Sequence, residues 1–206
     1  VGITRSVVHA LGALGRPAPS EAVLRHSIGP PLRETFAEML ETTDAALVER
    51  AVVLYRERYS TVGLFENEVY PGVSEALARF RSAGHRMWVV TSKPHVFARR
   101  ILEHFDLLHF FAGVYGCELD GAFSDKGDLI AHALATEALV ASDTWMIGDR
   151  MHDVRGAKRN GLTAVGVLWG YGSEEELREA GPAHLLNALD QLRVLLAAVP
   201  RTIGQA

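Results

Sequence analysis

The sequence predicts an α/β protein, with a small all-α segment followed by a doubly wound parallel sheet. Three observations predict it. Apolar residues recur at helical spacing, with no strand pattern, from Val1 to about Val62. Beyond Pro71-Gly72, short apolar runs alternate with helical patterns, as in a parallel sheet wrapped by helices. Third, the apolar run Trp145-Met146-Ile147 ends in Gly148-Asp149, with Asp153 four residues later. A buried strand feeding a helix has that form.

In the helical segment, Ile3, Val7, Val8, Leu11 and Leu14 mark a first helix over Val1 to Leu14, broken by Gly15-Arg16-Pro17-Ala18-Pro19. Ser20 is placed to cap a second helix running towards His26. Ile28-Gly29-Pro30-Pro31 is a tight break, with Pro31 at the first turn of a third helix, Leu32 to Leu40. Thr43 or Asp44 caps a fourth, whose pattern carries through Leu47, Val48, Val52, Leu54 and Tyr55 to about Val62. The domains expected are therefore a helical one over residues 1–65 and a sheet domain over 66–206.

In the second part, Val73 to Ala83 is helical and Gly84 ends it. Arg86 to Val90 reads as a strand, and Ser92-Lys93-Pro94 as the opening of the helix Val96 to Phe105. A short strand over Ala112 to Gly116 precedes the helix Lys126 to Glu137. The strand Thr144 to Ile147 then feeds the helix Val154 to Asn160, which Gly161 ends before a strand over Thr163 to Leu168. After the Gly170-Tyr171-Gly172 loop, Ser173 and Glu176 have the spacing of a capping box. His184 to Leu186 is a last strand and Leu189 to Val199 the closing helix.

A hydrophobic content of 48% with 22% charged residues is ordinary for a soluble globular protein. The net charge of -4, without a basic stripe or run, argues against a nucleic-acid partner. Cys117 is the single cysteine, so no internal disulfide forms, and it reads as a small buried hydrophobe. No apolar run is long enough to span a bilayer and no signal peptide precedes the first helix, so a cytoplasmic protein without a membrane partner is expected. Among the nine histidines, His104 and His109 are five apart and His152 points away from its neighbouring aspartates, which makes a zinc site improbable.

Asp149 at a strand's carboxyl end and Asp153 one helical turn on can face one point, where open α/β sheets bind ligands. Two hard oxygen donors there suit Mg²⁺. The competing reading makes Asp149 a helix cap and Asp153 a solvated surface residue. Thr91, at the end of its strand with Pro94 just inside the next helix, offers a hydroxyl beside free N–H groups, which is a phosphate cradle unless Thr91 or Ser92 merely caps that helix. Lys126 belongs by position with solvated surface lysines, yet a cation at a helix N-terminus opposes the helix dipole and needs another reason to be there.

Val89-Val90-Thr91-Ser92-Lys93-Pro94, then Lys126, then Gly148-Asp149-Arg150-Met151-His152-Asp153 resemble the second, third and fourth motifs of the haloacid dehalogenase-like phosphatases, in order and in spacing. Tyr70-Pro71-Gly72-Val73, Glu118-Leu119-Asp120-Gly121 and Gly166-Val167-Leu168-Trp169-Gly170-Tyr171-Gly172 look like the phosphoglycolate phosphatase branch. Val1 to Val62, with its Ile28-Gly29-Pro30-Pro31-Leu32 turn, looks like that branch's helical cap. The resemblance implies a Rossmann-like core that transfers a phosphoryl group through an aspartyl-phosphate. Thr91, Ser92 and Lys126 would bind the phosphate, with Thr91 and Lys126 catalytic. Asp149 and Asp153 would hold Mg²⁺. The cap would close over the site and choose a small phosphorylated substrate, with Gly29 and Arg33 as candidate contacts and an exposed helix arginine as the plainer reading of Arg33. A monomer or homodimer is expected.

The family's first motif, an Asp-x-Asp that ends its first strand and supplies the nucleophile, the general acid/base and a metal ligand, does not occur among these 206 residues. Asp120-Gly-Ala-Phe-Ser-Asp125 has the wrong spacing. The motif is expected upstream of Val1, on a strand lying between those that end at Thr91 and Ile147. A wrongly recorded start, a cut chain or a non-catalytic remnant would each account for this. Two expectations follow, a gap or an irregular neighbour between those strands and negligible phosphatase activity for the chain beginning at Val1. The substrates implied are phosphoglycolate, 5′-nucleotides and pyrophosphate. A phosphosugar mutase shares cap and core, a dehalogenase would leave Asp149 and Asp153 idle, and a non-catalytic binding protein is the rival of a different class.

Overall fold

The computed structural model describes residues 1–197. Ala198 and Val199 of the expected closing helix lie outside the described residues. The chain divides into two compact units, Val1–Val69 with Arg99–Phe105, and Tyr70–Ala98 with the chain from Asp106 onward.

The first unit holds α1 (Gly2–Ala13), α2 (Glu21–His26), α3 (Leu32–Met39) and α4 (Ala45–Tyr59). Ser20 starts α2 as its spacing implied, its hydroxyl accepting the Val23 N–H. Asp44 rather than Thr43 starts α4, accepting the N–H groups of Ala46 and Leu47. Pro31 stands just outside α3 as its N-cap, one position earlier than expected. Helix α4 stops at Tyr59, short of Val62, and a 3₁₀ turn over Gly63–Phe65 follows. Val7, Leu11, Phe36, Val52 and Leu64 are fully buried in this unit, and Tyr55 and Tyr59 stack at 5.0 Å. Glu66 closes it, accepting from Arg58 at 2.7 and 2.9 Å and from Arg5 at 2.8 Å.

The second unit contains α5 (Val73–Ser82), β1 (Trp88–Pro94), the start of α6 (His95–His104), β2 (Gly113–Cys117), α7 (Lys126–Thr136), β3 (Trp145–Gly148), α8 (Met151–Arg159), β4 (Thr163–Val167), α9 (Glu174–Ala180), β5 (His184–Leu186) and α10 (Leu189–Ala197). Among the described residues every strand pair is parallel: β1 with β2, β3 with β4, and β4 with β5. The side-chain alternation of β4 shows why helices cover both faces. Ala164 packs with Ile130, Val154 and Leu177 of α7, α8 and α9, while Val165 and Val167 pack with Ala76, Phe80 and Leu192 of α5 and α10. No helix among the described residues is long and apolar enough to cross a membrane.

The expected gap is present. β1 and β3 belong to separate sheets, and among the described residues each lacks a hydrogen-bonded neighbour on its other edge. Ile147 in β3 is 38% exposed, whereas the next strand's Val165 is 0% exposed.

One local reading is corrected. Thr91 does not end its strand, and Pro94 does not lie inside the following helix: β1 continues to Pro94 and α6 begins at His95. Thr91 pairs with Gly116, the register then shifts, and Pro94 pairs with Cys117. Gly116 permits this, because a Cβ there would overlap the Lys93 carbonyl and the His95 nitrogen. A proline without an N–H is tolerated at such a bulge.

Candidate active site

Helix α7 begins where Asp125 accepts the Asp128 N–H at 2.9 Å, making Lys126 its first residue. Lys126 is buried, not a solvated surface lysine. Its Nζ donates to the Val90 carbonyl at 3.0 Å and lies 3.0 Å from Asp153 Oδ1. A cation opposing its own helix dipole is held there by a carboxylate and a strand carbonyl. One ammonium therefore links β1 to α8.

Asp153, third in α8, is also buried, and its Oδ2 accepts the Arg150 N–H at 3.2 Å. The competing reading of the two aspartates is thus reversed, since Asp153 serves the helix start and Asp149 does not cap it. Asp149 turns instead to the loop after β4, where its Oδ2 accepts the Tyr171 N–H at 2.8 Å. Glycines let that loop approach so closely: a Cβ at Gly172 would overlap the Asp149 carbonyl oxygen, and one at Gly170 its carboxylate. Burial foremost, with Tyr171 and Asp149 adding to it, raises the Tyr70 phenol above its ordinary range.

Thr91 adjoins the carbonyl that Lys126 holds, and its hydroxyl accepts the Lys93 N–H at 3.2 Å. Ser92 is exposed, and its carbonyl accepts the Cys117 thiol at 3.0 Å. Residues 91–94, expected to form a cradle at a helix start, instead continue β1 through a bulge, and α6 begins at His95, one residue before the expected Val96. The buried Cys117 matches its reading as a small hydrophobe.

Asp149 and Asp153 are hard oxygen donors flanking the turn from β3 into α8. Among the described residues no group of three or more His, Cys, Asp or Glu is arranged to hold a metal. Two carboxylates without histidine or thiolate have the chemistry of a Mg²⁺ site, in which waters and a phosphate complete the shell, and not of a zinc site. In the helical unit, Gly29 has a left-handed φ of 117° and Arg33 is ion-paired with Glu49.

The spacing of Ser173 and Glu176 assigns Glu176 only a capping role. Ser173 does start α9, accepting the Glu176 N–H at 3.0 Å, but the Glu176 carboxylate does not return to close a capping box. Its Oε1 accepts from Arg150 Nε and from the Met151 N–H, both at 2.8 Å. Burial pulls the Glu176 carboxyl upward, but Met151 and Arg150 outweigh it and leave it below the ordinary range. Twenty-five residues separate Glu176 from Met151, so no local spacing pointed to it.

The family profile of haloacid dehalogenase-like hydrolases matches residues 1–167. The chain is 48% identical to a 5′-nucleotidase of Pseudomonas aeruginosa over 95% of this chain and 88% of that protein. It is 39% identical to the tyrosine-protein kinase PtkA of Mycobacterium tuberculosis over 95% and 67% of the two chains. The crystal structure of a predicted phosphatase from Clostridium acetobutylicum superposes with a TM-score of 0.90 at 37% identity, covering 96% of this chain and 91% of that one. The match over most of the chain and the shared fold place the protein among the haloacid dehalogenase-like hydrolases, in their phosphatase branch.

Proposed function

We propose that this protein is a Mg²⁺-dependent phosphatase acting on a small phosphorylated metabolite. The observation that carries the reading is the Lys126 ammonium, buried between the Val90 carbonyl and the Asp153 carboxylate. A cation fixed there costs no reorganisation when a phosphoryl group arrives, and phosphoryl transfer depends mostly on positioned charge. Thr91 donates its hydroxyl to a phosphoryl oxygen, Lys126 neutralises charge on the phosphate, and Ser92 lies at the edge of the same site. Asp149 and Asp153 hold Mg²⁺, which supplies charge stabilisation when bound.

The nucleophile of the proposed reaction is an Asp of an Asp-x-Asp strand upstream of Val1, occupying the place between β1 and β3. The 206 residues contain no such motif, and among the described residues both strand edges are open. Among substrates, 5′-nucleotides come first because of the 48% identical 5′-nucleotidase, with phosphoglycolate and pyrophosphate next. The kinase-named relative adds phosphotyrosine to the panel.

The test is phosphate release from this panel, with and without Mg²⁺, by the chain from Val1 and by a chain extended to include an Asp-x-Asp strand. Turnover that needs both Mg²⁺ and the extension supports the reading. Substantial Mg²⁺-dependent turnover from Val1 alone would overturn the assignment of the nucleophile. No release by the extended chain would point to a mutase or a binding protein.

A further inference from the structure

The turn from β3 into α8 is gripped from a distant part of the chain. Asp149 receives the Tyr171 N–H, while Glu176 of α9 receives both the Arg150 guanidinium and the Met151 N–H on one oxygen. The Arg150 N–H turns inward to Asp153. Asp149 and the next two residues, Arg150 and Met151, are therefore each tied down, and Glu176 makes two of the ties. The Arg150 and Glu176 side chains are only 22% and 20% exposed, so water competes weakly for them.

We infer that Glu176 is a positioning residue for the Asp149–Asp153 pair. It fixes the first turn of α8 from outside that helix and so sets where the two carboxylates stand. The inference rests on the proposed metal role of those aspartates, and its test separates the two. Because both hydrogen bonds end on Oε1, a glutamine can keep them and lose only the charge, whereas alanine removes the acceptor.

The experiment compares wild type, Glu176→Gln and Glu176→Ala in the 206-residue chain, after circular dichroism shows equal helix content. Amide hydrogen exchange is followed over residues 149–154 without metal, and Mg²⁺ affinity is then measured by titration calorimetry. In Glu176→Ala, exchange at Met151 accelerates at least about tenfold and Mg²⁺ affinity falls about tenfold, in line with the usual loss on removing an outer-shell partner. Glu176→Gln stays within about threefold of wild type on both, which a role for the charge alone would not give. Unchanged exchange in Glu176→Ala overturns the inference, as does altered exchange with wild-type Mg²⁺ affinity. If exchange responds as expected but neither the wild-type chain nor its extension to the Asp-x-Asp strand takes up Mg²⁺, the hold on the turn stands and the metal reading of the aspartates falls.

Discussion

Lys126 Nζ stands 3.0 Å from Asp153 Oδ1, and the two side chains are 8% and 11% exposed. Each needs the other, because removing one partner of a buried pair leaves an uncompensated charge. Lys126→Met should therefore destabilise the protein by about 3 kcal/mol. The double variant Lys126→Met with Asp153→Leu should recover much of that loss. Urea unfolding of the four proteins in this cycle measures it, and additive effects would show that the pair is not coupled.

Asp149→Asn should weaken Mg²⁺ binding at least about tenfold and abolish turnover of the extended chain. Calorimetry on the purified variant reads the first effect and phosphate release the second. Normal turnover in the variant would remove Asp149 from the metal site.

Gly172→Ala places a methyl group where the Asp149 carbonyl oxygen sits. The loop and the β3–α8 turn must part, and a misplacement of about 1 Å at a reacting site can cost about a hundredfold in rate. Turnover of the extended enzyme should fall by that order while circular dichroism stays native. Wild-type kcat/KM in this variant would mean that the close approach does not fix Asp149.

Glu66 supplies a dependence on pH. Hydrogen bonds from Arg58 first, and then Arg5, hold its carboxyl down at about 2. Its folded value lies below the usual glutamate value of about 4.3, so its contribution is complete above that pH and fades as pH falls towards 2. Wild type should melt above Glu66→Gln from pH 5 to 7, and the two should converge near pH 2. A melting-temperature difference that is constant across this range would contradict the assignment.

Much of this architecture was legible because it is written in local patterns. Ser20, Asp44 and Ser173 start their helices as short-range capping chemistry implies, since donor and acceptor lie within three residues. The strand Trp145–Gly148 and its helix were visible because an apolar run, a glycine and a helical pattern follow one another directly. The bulge that carries β1 on to Pro94 was not, because it depends on Gly116 of the neighbouring strand admitting a backbone.

The same division runs through the site. The residue types and spacing of Thr91, Lys126, Asp149 and Asp153 came from the chain itself, as did the missing Asp-x-Asp. The burial of Lys126, its bond to Val90, the exchange of roles between Asp149 and Asp153, and the reach of Glu176 to Met151 came only from folding. Periodicity and capping act over a few residues, so sequence order carries them. Which charge meets which carboxylate depends on how α7, α8 and α9 pack on the sheet, and that packing joins residues 25 or more positions apart.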